Sequence, residues 1–499
     1  MDDLERFVIL EKLEPHFFEI LEMSSQGKSD REITNLVKKP NGGTYADGSI
    51  KKNRRAQLEK LELNQAEISG LLERYKIWTG SSLALVAANT FEQFKQVNSA
   101  TIQERQVQLE KVTQIRASGL VLRFLVWYYH NRVTFLTAHG KIYPCSFTDN
   151  TFEDKGVEFF QNQIVMDLTY KAQDHLPNYD YRFYASSKTL RQNGSNHLDN
   201  GVSKCTFALK NLDSDTPPKM NLYVSDYFTG LDTSESLGWE LMSQLVADSQ
   251  GGSEADLFAR VAKKLPQRRR IEIAMGTDQN QQLQILQGVG RAATIGCAML
   301  FVYRDADRQY RCTLGTRSAE GVAAQPNSVH VAPAGMFQSE CTLQELLLPE
   351  NKEEWQIDKR IFCELLEEVL DKSEEYEEPR IPYRIMKKDP QLSVILEMLK
   401  TGKADFLVSG IAVDLLNLRP EICVVLILHE YSEIIVDNIK SNREYHGKRL
   451  NQILLSTLEN PTSAVPSDSG FFAPQNMVAS GAACLWKGFE QIKGYLRTP

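Results

Sequence analysis

Three glutamates, Glu364, Glu367 and Glu368, fall at helical spacing in the stretch CELLEEVLDK, residues 363–372. Carboxylates one turn apart line one face of a helix and can hold a hard cation such as Mg²⁺ through oxygen. A cation so held can neutralise a diphosphate and activate water. Yet Ile357, Ile361, Phe362, Leu365, Leu366 and Val369 form a continuous apolar face on the same segment. Glutamates opposite such a face are also what any surface helix carries. A second group of chemically capable residues lies near the N-terminus. Between Lys28 and Lys60 there are nine Lys/Arg against four Asp/Glu, a local net of +5 in a chain whose overall charge is −8. Cations on a helix give affinity for duplex phosphates through counterion release, and Arg can also read guanine edges.

The elements that would position these residues can be read from the chain. Its 499 residues are enough for several domains, and 42% hydrophobic content is enough for real cores. SDREITNLV opens with Ser29 followed three residues later by Glu32, a capping-box start. GSIKKNRRAQLEKLEL follows as a second helix that can turn Ile50, Leu58, Leu61 and Leu63 inward. Residues 90–118 carry a loose helical stripe, and SSKTLRQNGSNHLDNG has the composition of an exposed loop. SLGWELMSQLVAD and SEADLFARVAKKL read as amphipathic helices. From residue 292 the pattern becomes strand-like: ATIGCAMLFVYR, a DADR turn and YRCTLGTRS form a hairpin. SVHVAPAGMF is a further strand entering a turn, EICVVLILHEY is a buried strand, and the C-terminus ends in a helix.

Other features exclude chemistry. The eight cysteines form no CxxC pair and the eight histidines do not cluster with them, so no zinc site is expected. GLVLRFLVWYY is too short to span a bilayer and carries Arg123. The acidic start MDDLERFVILEKLE is not that of a signal peptide. The expectation is a soluble, cytoplasmic protein with no membrane partner. GVGR at 288–291 is not a dinucleotide fingerprint, and His330 reads as a packed histidine in a strand. PQRRRIEI reads as a solvated basic patch ahead of a strand-like run.

Residues 13–77 resemble the LuxR-type (GerE-like) helix-turn-helix family. LEPHFFEILEMSSQGKSDREI is similar to its first helix and the entry to its scaffold helix, GSIKKNRRAQLEKLEL to its recognition helix, and NQAEISGLLERYKI to its fourth helix. The resemblance implies that Ser49, Lys51, Lys52, Arg54 and Arg55 face double-stranded DNA, and that the protein is a homodimer. The turn VKKPNGGTYADG is longer than the family's. Residues 292–372 resemble Nudix hydrolases: SVHVAPAGMFQSE is similar to the family's P-G-G entry and CELLEEV to its R-E-U-x-E-E helix. That resemblance implies a Mg²⁺ site at Glu364, Glu367 and Glu368. Cys363 stands where the family has arginine, Leu370 where it has glycine and Ala334 where it has the first glycine of the pair, and extra residues separate Gly335 from Glu364. The box is broken, so no catalytic residue is assigned.

Together these readings give a multidomain expectation. An all-α helix-turn-helix head (1–80) is followed by a helical or mixed connector (81–245) and an α+β domain with a Nudix-like mixed sheet (246–499). The function expected is a DNA-binding transcriptional regulator whose C-terminal domain senses a nucleotide-like ligand without catalysis. The alternatives are a divergent Mg²⁺-dependent hydrolase of nucleoside diphosphate derivatives, and a protein-interaction module using the basic helix.

Overall fold

The structure is a computed structural model that describes residues 15–25, 28–37, 49–61, 63, 67–68, 71–72, 111, 114–147, 155–168, 205–213, 218–248, 252–275, 284–318, 325, 327–339, 341, 343–372, 381–440, 445–461 and 470–497. The N-terminal turn at 38–48, most of the stretch 64–77, most of the stripe at 90–118 and the loop at 186–201 lie outside them. The chain divides into two compact units, Met1–Val107 and Gln108–Pro499.

In the first unit three helices are described: α1 (Pro15–Ser25), α2 (Asp30–Leu36) and α3 (Ser49–Lys60). Ile20, Ile33, Val37 and Ile50 are fully buried together, one or two from each helix and its end. The expected capping box is present, with Ser29 N–H donating to Glu32 Oε2 at 2.7 Å.

The second unit is built on two sheets. Its strands are β1 (Phe135–Ala138), β2 (Lys141–Phe147), β3 (Lys155–Gly156), β4 (Ile164–Asp167), β5 (Cys205–Leu212), β6 (Met220–Asp226), β7 (Ala293–Thr294) and β8 (Gly296–Arg304). They continue as β9 (Tyr310–Arg317), β10 (Val329–Val331), β11 (Ala334–Met336), β12 (Gln338–Ser339), β13 (Ala404–Asp414), β14 (Arg419–Leu428) and β15 (Tyr445–Leu454). Ten strands form the larger sheet, in the order β1-β2-β13-β14-β8-β9-β10, with β3, β11 and β15 attached. Five form the smaller, in the order β12-β5-β6-β4 with β7 on β5.

At the centre of the larger sheet β8 runs parallel to β14. Both are nearly continuous apolar runs, as a strand covered on both faces must be. Their side chains alternate between two cores. Met299, Phe301, Val424 and Leu426 face helices α8 (Ile357–Glu364) and α9 (Pro390–Lys400), which follow α4 (Leu120–Tyr129), α5 (Ser236–Asp248), α6 (Glu254–Ala262) and α7 (Pro266–Ala274) in the chain. Leu300, Val302, Val425 and Ile427 face α10 (Ala479–Ile492) through Leu485, Trp486 and Phe489. Each such side chain contributes about 1.5–3 kcal/mol on burial. Gly488 lets α10 come close, because a Cβ there would lie 2.8 Å from Val425 Cγ2 and 2.9 Å from Leu300 Cδ2. A third core joins α4–α7 to the β13–β14 turn.

The two sheets diverge at a ring of three backbone bonds. Phe207 N–H donates to Phe337 O (2.9 Å), Phe337 N–H to Ile295 O (2.8 Å) and Ile295 N–H to Phe207 O (2.9 Å). All three residues are fully buried, where an unpaired amide would cost free energy comparable to a lost hydrogen bond.

This architecture corrects the expected fold class. The fold is mixed α/β on two sheets, not an all-α helix-turn-helix head joined to a Nudix-like α+β domain. Strands from 135–226 lie in the same two sheets as strands from 293–454. The physical reason is that the strands between 135 and 226 are short, two to eight residues each, and β2, β3 and β5 pair with strands far along the chain. In the first unit the described helices do not establish a helix-turn-helix. The solvated patch expected at 266–273 is also corrected: these residues form α7, and Arg268 within it is 0% exposed.

Candidate nucleic-acid interface

Helix α3 is oriented by its apolar positions. Ile50, Gln57 and Leu61 are buried, at the spacing of one helical stripe. Lys51, Lys52, Arg55 and Glu59 fall outside that stripe and are exposed, and Ser49 is half-buried. A shallow concavity of 350 Å³ lies along the helix, lined by Lys51, Arg54, Arg55, Leu58, Glu59 and Leu63.

The expected DNA-facing residues divide into two kinds. Lys51, Lys52 and Arg55 share the exposed face, where Arg55 pairs with Glu59 at 2.9 Å one turn on. Arg54 turns inward instead. Its guanidinium pairs with Asp30 of α2 at 2.9 Å and donates to Ser24 Oγ of α1 at 3.2 Å. Arg54 thereby ties the three helices together, with side chains 21% and 33% exposed across the ion pair. Solvent screening holds such a pair to no more than about 1 kcal/mol. The same turn of α2 is ordered by its cap, and the Glu32 carboxyl is held below the usual range by the hydrogen bond from the Ser29 hydroxyl.

The three C-terminal glutamates lie where α8 passes into a wider π-turn at Leu365–Val369. Glu364 is 4% exposed and Glu368 is 1% exposed. Glu364 accepts from Arg360, whose Nε donates to Met336 O at 2.9 Å. Glu368 Oε2 accepts from Ala334 N–H at 2.9 Å and from the Tyr445 hydroxyl at 2.8 Å. Glu367 accepts from the Cys363 thiol at 2.9 Å, and burial, then Glu367 itself, pushes that thiol's pKa up. Gly335 packs directly on Glu364, for a Cβ there would lie 1.7 Å from Oε1. Glu364, through Arg360, and Glu368 therefore clamp α8 and its π-turn to β11, while Glu367 bonds within its own helix. They do not fit a magnesium site, and among the described residues no group of three or more His, Cys, Asp or Glu could hold a metal ion.

Sequence reasoning missed the buried arginines of the larger unit. Arg268 donates to Tyr129 Oη at 2.7 Å and to the carbonyls of Leu237, Leu415 and Leu416. Its spacing within Leu265, Arg268, Ile271 and Met275, an otherwise apolar helical stripe, was the available signal. Arg116, Arg317 and Arg419, at the end of the large sheet, had no such local signal. No helix among the described residues is long and apolar enough to cross a membrane. No known protein family matches the chain, and no curated protein matches it either.

Proposed function

We propose that this protein is a DNA-binding regulator that contacts duplex phosphates through the exposed face of α3, and that its larger unit responds to a small ligand without catalysing a reaction. The observation that supports the reading is the division of labour on α3. Ile50, Gln57 and Leu61 anchor one side, while Lys51, Lys52 and Arg55 are left together on the other. A helix that presents several cations along one face can neutralise backbone phosphates and release counterions on binding. Arg54 serves in this reading as a positioning residue. Hydrolysis is not proposed, because the three glutamates are each engaged within the fold.

Fluorescence anisotropy with a labelled duplex, read across a salt series, tests the proposal. The triple substitution Lys51→Ala, Lys52→Ala and Arg55→Ala should weaken binding and flatten the salt slope by about one unit for each phosphate left unneutralised. A wild-type chain that fails to bind duplex, or a triple variant with an unchanged slope, would remove α3 as the DNA-binding surface.

A further inference from the structure

The geometry points to a second binding site, for a phosphoryl group, formed at the end of the large sheet by Arg317, Arg116 and Arg419 with the first turn of α10. It stands on its own residues and holds whether or not α3 binds a duplex.

Several strand ends converge here. Arg317 closes β9, His330 lies in β10, Asp414 closes β13, and Arg419 and Glu421 open β14. The N-terminus of α10 is pressed against them. Val478 N–H is bonded to Val329 O at 2.9 Å, and Val478 supplies no side-chain cap. Gly481 lies against His330, where a Cβ would come 2.9 Å from the ring's Cγ. A substituent at 481 would push the helix end away. The first amides of this 14-residue helix have no acceptor within the helix and carry the positive end of its dipole. Such an end accepts anions.

The charges at the site are unevenly matched. Arg116 donates to Gln325 at 2.7 Å, and Gln325 donates in turn to Asp414 at 2.7 Å. Arg419 pairs with Glu235 at 2.7 Å. Arg317 Nε and Arg419 Nε are buried with no hydrogen-bond partner, and no described residue bonds the Arg317 guanidinium. His330 is 2% exposed; Nδ1 meets Val331 O at 2.9 Å, while Nε2 comes no closer than 3.7 Å to Glu421. Because Val331 O can only accept, Nδ1 carries the proton and Nε2 is an acceptor, so the ring packs the helix end in place and the donors come from the arginines and the amides.

Three guanidinium groups here stand among three carboxyls, Glu235, Asp414 and Glu421, and only the Arg317 guanidinium is bonded to no described residue. Burial, then Arg317, lowers the His330 pKa to about 3, so the ring stays neutral. Burial raises the pKa of the Asp414 and Glu421 carboxyls, and Glu421 also bonds the Ser480 hydroxyl in the first turn of α10. Arg116, lowered to about 10 mainly by burial, remains charged at neutral pH. Arg116, Arg317 and Gln325 are half-buried, so the cluster also meets water. Guanidinium groups and helix-end amides together supply the fork of donors that a tetrahedral phosphoryl group accepts. The group can arrive as free phosphate or as the phosphate of a nucleotide.

The test is calorimetric titration of the full chain with inorganic phosphate at constant ionic strength made up with chloride, then with a nucleoside 5′-monophosphate. Saturable phosphate binding is expected in the wild type, weakened at least tenfold in Arg317→Gln and kept in Lys141→Gln, a distant cation in β2. Circular dichroism checks that the variants fold. Should Arg317→Gln unfold, Arg116→Gln, on the half-buried side of the cluster, carries the same expectation. Tighter binding of the nucleotide than of phosphate assigns the site to nucleotides; equal or weaker binding assigns it to free phosphate. A wild type without saturable binding of either, or an affinity unchanged in the folded arginine variant, overturns the proposal.

Discussion

Helix α3 carries KKNRR and helix α7 carries QRRR, yet the two present their cations differently. On α3 Lys51, Lys52 and Arg55 remain in water, and only Arg54 is drawn to Asp30. On α7 Arg269 is exposed while Arg268 is wholly enclosed. The difference lies in what each helix packs against. The first packs against two short helices that offer one carboxylate and one hydroxyl. The second meets the turn between β13 and β14, whose carbonyls need donors. Arg268 takes Leu415 O and Leu416 O, and Arg291, also buried, takes Leu418 O at 3.1 Å. Leu418 has a φ of 58°, a left-handed conformation costly for a leucine, and the arginine bond helps hold it. Burial of Arg268 opposes its charge, but Tyr129 and Glu272 more than offset that, and the guanidinium stays protonated. A run of basic residues therefore does not reveal its role until the acceptors around it are known.

The largest effect that would sharpen this contrast is expected at Arg268. Arg268→Met removes the donor to three carbonyls and a phenol in the core, and should cost about 3–5 kcal/mol. Urea denaturation measures it, and a loss below about 1 kcal/mol would place Arg268 with the surface cations of α3.

A smaller, pH-dependent effect belongs to His330. Its folded pKa of about 3 lies below the unfolded value of 6.5, so between those values the unfolded chain binds more protons. Its contribution is complete above about pH 6.5 and is lost progressively as pH falls towards 3. By pH 5 the loss should be on the order of 2 kcal/mol. His330→Gln should show a shallower decline in stability over that window than the wild type. Parallel curves would mean that the ring takes up its proton without leaving its place.

The smallest effects separate the α3 residues from one another. Arg54→Ala should cost about 0.5–1 kcal/mol through its half-exposed pair with Asp30. Lys51→Ala and Lys52→Ala should change stability by less than about 0.5 kcal/mol. Equal losses at Arg54 and Lys51 in thermal unfolding would erase the distinction between positioning and exposed cations.

Parts of this fold are legible in sequence because they are governed by neighbours in the chain. The capping box of Ser29 and Glu32 forms between residues three apart, and the hairpin of β8 and β9 closes through a short turn. The long apolar strand β14 and helix α10 are likewise visible, since the first is apolar almost throughout and the second is periodic. The parallel pairing of β8 with β14 is not, since Cys297 meets Ile422 across a long excursion of chain. Helical spacing also placed Glu364, Glu367 and Glu368 on one element, but not their roles. Glu368 reaches Tyr445 across 77 residues, and Arg268 reaches Leu416 across 148.

By itself the sequence determined the capped helix α2, the hairpin of β8 and β9, the apolar strand β14, the final helix α10 and where positive charge concentrates near the N-terminus, because propensity, capping and periodicity act over a few residues. Only the tertiary structure decided which charges are exposed and which are enclosed. It turned Glu364 and Glu368 of CELLEEV into a clamp on β11, sent Arg268 into the core, and gathered Arg116, Arg317 and Arg419 at one sheet end. The physical reason is that a charged side chain is stable in the interior only beside a partner, and here those partners come from distant parts of the chain.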